Sequence, residues 1–149
     1  MVALEKKEES VDMKEMFIHI CDERLSICDA LEEIADSLPK RVDRQVCVHT
    51  ARVLPQIIKK AHHFETEIFF PNLEKTKFIS LDLDATLERL KNEQVADEYS
   101  GEELGDVLMS YGIGEPILGA EATGYMLRGF FEKLRRHVAF EKELFFKKP

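Results

Sequence analysis

Near the C-terminal end of the chain, His137 and Glu141 stand four residues apart, in line with the apolar positions Met126, Phe130 and Leu134. Side chains so spaced on a helix are neighbours, with Cβ atoms ~5–6 Å apart. An imidazole nitrogen and a carboxylate oxygen placed together suit iron, zinc or manganese. The same pair also reads as a charge-assisted hydrogen bond, but burying both groups without a further partner or an ion is costly.

A second cluster lies in the run Ala61-His62-His63-Phe64-Glu65-Thr66-Glu67-Ile68-Phe69-Phe70-Pro71. His63 and Glu67 repeat the spacing but lie off the apolar line through Ile57, Ala61 and Ile68. Glu65 lies nearer that line, yet the residue one turn before it is Ala61. A His62-His63 pair beside acids reads equally as a solvated patch. Cys21 sits on an apolar line flanked by His19, Asp22 and Glu23, and Cys21, Cys28 and Cys47 all read as small core residues. His19 and Cys21, two apart, point to different sides of a helix and make no nucleophilic pair. Gln94 follows Leu87 and Leu90 on an inward line, with Glu93 and Glu98 close by. An amide there is a poor metal ligand and must find hydrogen bonds.

Four segments must hold these residues. The first is expected over Ser10–Leu38, capped by Ser10, with Phe17, Cys21, Leu25, Cys28, Leu31, Ala35 and Leu38 inward. The charged stretch 1–9 reads as a frayed tail, and 10–149 as a single domain. The second runs over Val42–Phe70 with Val46, Thr50, Val53, Ile57, Ala61 and Ile68 inward, and Pro55 should kink it or shift its phase. After a linker at Asn72–Ser80, the third covers Asp82–Tyr111, with Leu83, Leu87, Leu90, Gln94, Leu104, Val107 and Leu108 inward. Gly101 and Gly105 weaken it enough to suggest a break near Ser100. The fourth covers Ala120–Phe146. No strand-period alternation of useful length appears. The expected fold is all-α, an antiparallel up-down-up-down four-helix bundle.

Composition narrows the classes of function. A chain of 149 residues, 44% apolar, suits one domain with a real core. With 29 acidic against 21 basic residues, the formal charge of -8 disfavours nucleic acid. No run approaches the ~20 apolar residues a membrane span needs. Three cysteines form no disulfide framework, so a cytoplasmic location is expected.

Together these residues resemble the hemerythrin-like HHE cation-binding family, in its bacterial branch. The resemblance is carried by the ending His137-Val-Ala-Phe-Glu141-Lys-Glu-Leu-Phe-Phe, by Glu65-Thr-Glu-Ile-Phe-Phe-Pro71 and by Leu90-Lys-Asn-Glu93-Gln94. It implies a four-helix bundle holding a di-iron or other metal pair with His and carboxylate ligands from each helix. Its implied ligands here are Glu65, His137 and Glu141. The remaining His positions of the family fall on Ala61, with His62 adjacent, on Gln94, and on Cys21 or, with a one-residue slip, Asp22. His62, His63, Cys21, Gln94 and Glu93 are thus additional or substituted positions. The ferritin-like Glu-x-x-His pattern is absent.

The expectation is a metal-binding protein with a reduced or altered site, di-iron, mononuclear or holding another divalent metal, with dioxygen as an implied partner and oxygen, metal or redox sensing as its role. Against it stands a metal-free bundle serving as an interaction or regulatory module. A di-iron enzyme is the weakest reading, because nothing in the sequence marks a substrate pocket. A homodimer through Phe140, Leu144, Phe145 and Phe146 competes with a core role for these residues.

Overall fold

Apolar residues recurring every three or four positions drive long amphipathic helices, and each buries one stripe against its neighbours. The computed structural model describes residues 2–75 and 81–146, with side chains from 12–75 and 83–146. Four long helices dominate: α1 (Val2–Ser37), α2 (Arg44–Phe64), α4 (Leu81–Gly112) and α5 (Ala120–Phe146), with a short α3 (Phe70–Lys75) following α2. Among the described residues there is no strand. Packing runs α1 on α5, α1 on α2, and α2 on α4, with α4 and α5 touching least. This is the expected helical bundle.

Several boundaries move. Helix α1 begins at Val2, well before the expected Ser10 start, and the Ser10 side chain lies outside the described residues. Part of the expected 72–80 linker is helical, as α3, and 76–80 lie outside the described residues. Helix α4 is continuous through the glycines expected to interrupt it. A Cβ would fit at both at ordinary contact distance, 3.5 Å from the Ala51 carbonyl at Gly105 and 3.8 Å from Ile58 at Gly101. The tightest contact is at Gly112, where an added Cβ would lie 2.3 Å from Val48 Cγ2 and 3.2 Å from the Arg44 carbonyl oxygen.

Helix α2 starts at Asp43, whose side chain accepts from the backbone N–H groups of Gln45 and Val46 at 3.0 and 3.2 Å. Its buried face comprises Cys47, Thr50, Ala51, Leu54, Ile58, Ala61, His62 and Phe64. That face is rotated from the expected one: Val46 is exposed, and Val53 and Ile57 are only half-buried. The helix runs unbroken past Pro55. The phase shift comes later, in a π-helical turn at Glu65–Phe69, where the Phe70 N–H donates to the Glu65 carbonyl. Five-residue spacing stacks Phe64 with Phe69 and Glu65 with Phe70, and all four are buried.

Aromatic rings close this end of the bundle. Phe17 stacks on Phe145 at 4.3 Å and on Phe69 at 5.1 Å between centroids. The C-terminal phenylalanines are thereby drawn toward the core, with Phe146 left largely exposed. Just below them, the interior turns polar.

Candidate metal centre

Four long-chain polar groups meet under the aromatic end: Arg24 from α1, Glu65 from the π-turn, and His137 and Glu141 from α5. Glu65 and Glu141 are 0% exposed and Arg24 1%. Glu65 comes inward because the π-turn holds it above Phe70 on the buried side. His137 and Glu141 come inward together as one helical turn of the α5 core face, continuing Leu134 and Val138.

The groups form a closed ring. Glu141 Oε1 accepts from Arg24 Nη1 at 2.7 Å and stands 2.7 Å from His137 Nε2. The same His137 nitrogen is 3.4 Å from Glu65 Oε2, and Glu65 Oε1 is 3.7 Å from Arg24 Nη1. On its far side, His137 Nδ1 lies 3.3 Å from Glu93 Oε2, whose side chain is 33% exposed. One ligand atom from each of Glu65, His137 and Glu141 lies within 4.8 Å of the others. Two carboxylate oxygens, Glu65 Oε1 and Glu141 Oε2, are buried with no hydrogen-bond partner among the described residues.

Charge follows this geometry. Burial alone would push His137 toward the neutral form, but hydrogen bonds and charge from Glu141 and Glu65 outweigh it and hold its pKa at about 10. Burial works against the Glu141 carboxylate too, and Arg24 and then His137 overcome it, keeping its pKa below the usual carboxylate value. Arg24 loses solvation yet stays firmly charged beside Glu141 and Glu65. With both ring nitrogens facing carboxylates, His137 is an imidazolium that donates to Glu141 and Glu93 when no ion is present.

The other residues singled out by sequence are placed as follows. Cys21 is buried, and its Sγ lies 3.8 Å from Arg24 Nη2; burial pushes its thiol up, against the pull of Arg24. His62 turns to α4 and pairs its Nδ1 with Glu98 Oε1 at 3.0 Å, and His63 is exposed. Gln94 is half-buried, and its Nε2 finds no hydrogen-bond partner among the described residues. Glu93 reaches the ring through His137. Arg24 is the residue that sequence reasoning passed over. The signal was present, since Arg24 follows Ile20 by four and Cys21 by three and precedes Cys28 by four, at the centre of the apolar stripe.

The model of the hemerythrin HHE cation binding domain matches residues 22–148. The chain belongs to the hemerythrin family. Comparison with curated proteins and with solved structures gives no match. The hemerythrin domain is a metal-binding helical domain, and here its matched span contains Arg24, Glu65, His137 and Glu141. The side chains fit one ion. Converging imidazole and carboxylate donors and two unpartnered carboxylate oxygens are what a small divalent cation requires. They fit a pair of ions poorly, because α1 puts a guanidinium against the acids, α4 offers an amide at Gln94, and α2 an alanine at position 61.

Proposed function

We propose that this hemerythrin-like protein holds a single divalent cation, iron foremost, between Glu65, His137 and Glu141, and works as a sensor of metal, oxygen or redox state. The convergence of those three buried side chains is the observation that carries the reading. A bound cation of this kind supplies Lewis acidity, and iron adds a change of oxidation state. The chain's own contribution is to hold the donors, exclude water behind the phenylalanine cluster, and take up a proton at His137 when the ion leaves.

The sensing role is supported by how well the site is balanced without metal. In many small metal domains the ligands cannot stay folded alone, so metal loss means unfolding. Here Arg24 and the His137 imidazolium neutralise the carboxylates, so metal-free and metal-bound forms are both folded. A protein that reports occupancy needs that property. We place it in the cytoplasm, which three free, buried cysteines support.

A metal-free regulatory bundle is the second reading, favoured by the 2.7 Å Arg24–Glu141 contact. Metal analysis of protein purified without chelator, with an absorption spectrum, separates the two. We expect close to one iron, zinc or manganese per chain and no near-ultraviolet bands of an oxo-bridged ferric pair. Metal far below stoichiometry, with no uptake on reconstitution, would sink the first reading.

A further inference from the structure

The interior of the bundle contains an arginine that no element of the fold requires for packing. Arg24 is the bulkiest of the fully buried side chains described. Its helix holds it in place, with Nε donating to the Ile20 carbonyl at 3.4 Å and Nη2 resting near Cys21 Sγ at 3.8 Å. Its head lies against both carboxylates, at 2.7 Å from Glu141 and 3.7 Å from Glu65. Among the described residues its charge has two ion partners, Glu141 and Glu65, and neither lies on α1.

We infer that Arg24 is the site's built-in second cation, a guanidinium that supplies the charge a second metal ion would bring and limits the site to one ion. This rests on the reading that Glu65 and Glu141 hold a cation. Charge arithmetic supports it. Glu65, Glu141 and Glu93 carry three negative charges, and Arg24 with one divalent ion and a neutral His137 carries three positive. A second divalent ion would leave two uncompensated positive charges in a nearly dry interior, which is strongly unfavourable. Arginine cannot relieve this by losing its proton, as lysine can.

The test counts cobalt(II) and zinc(II) bound per full-length chain, by elemental analysis after desalting and by calorimetric titration, in wild type, Arg24→Ser and Arg24→Lys. Thermal midpoints are recorded with chelator and with excess metal. We expect one ion in wild type, two in Arg24→Ser, and in Arg24→Lys a second ion only as the pH is raised far enough to discharge the amine. We also expect a midpoint that chelator lowers far more in Arg24→Ser than in wild type and that metal restores. Arg24→Gln, which keeps an uncharged donor and most of the stem, carries the same count should serine fail to fold. One ion in every variant, with equal response to chelator, would overturn the inference and leave single-ion binding standing. No ion in wild type but one or more in Arg24→Ser would overturn both the single-ion reading and the one-ion limit, since Arg24 would then stand in for every ion. No ion in any variant would end both.

Discussion

Both acids of the ring face Arg24 and His137, but Glu141 makes the short contacts to each, and that asymmetry governs what single substitutions do. Glu141 serves Arg24 and His137 together, so Glu141→Gln strands two buried cations and should lower metal-free stability by about 3–5 kcal/mol in chemical denaturation. The pH response follows from His137. Its pKa rises from an ordinary 6.5 to about 10 in the fold, so its stabilising effect is complete below pH 6.5 and is lost as pH climbs through about 10. Metal must displace that proton, so affinity should rise roughly tenfold per pH unit across the same window. Competition titrations at several pH values check this, and affinity that stays flat would contradict ligation by His137. Spacing singled out His137 and Glu141, which interrupt an apolar line, whereas spacing left Glu65 open against Glu67 and the family resemblance chose it. Arg24 escaped because arginine is ordinarily a surface residue, with its stem along the apolar edge and its head in water. His62 was expected near the ring because it neighbours Ala61, but α4 offers it Glu98 instead.

At the scale of the helix, α5 was legible to its ends and at Leu134, His137 and Glu141, while its first half turns one position, burying Leu127 and Phe131 in place of the expected Met126 and Phe130. Helix α2 was legible as a helix. Its expected face held at Thr50 and Ala61 and moved one position elsewhere, from Val46, Val53 and Ile57 to Cys47, Leu54 and Ile58, and the π-turn itself contains no glycine or proline. Proline at position 55 drew the expectation of a phase shift ten residues too early, because it breaks a hydrogen bond without necessarily changing the register. The middle glycines of α4 were misread in the same spirit. Gly101 and Gly105 appeared as weak points on propensity, but the helix runs straight through both. The close approach to α2 is at Gly112, and Gly112→Ala tests it. A methyl group 2.3 Å from Val48 Cγ2 and 3.2 Å from backbone atoms must displace the first turns of α2, costing about 1–3 kcal/mol in thermal or denaturant unfolding. An unchanged midpoint would mean that the two helices separate easily at this end.

For the molecule as a whole, the all-α bundle was readable because four long periodic segments with short connections leave few other ways to bury their stripes. An ion that binds only the folded form should stabilise it by about 2.7 kcal/mol at a free concentration a hundredfold above its dissociation constant. Thermal midpoints recorded against metal concentration measure this directly. Of the ring's members and their neighbour, Glu93 alone has a substantially exposed side chain, while the phenylalanine cluster seals the end above. Among the described residues, the open approach to the ring is therefore a doorway at Glu93, on α4. Chelators added to loaded protein should strip the ion at a speed that levels off as their concentration rises, because waiting for that doorway, and not meeting the scavenger, sets the pace.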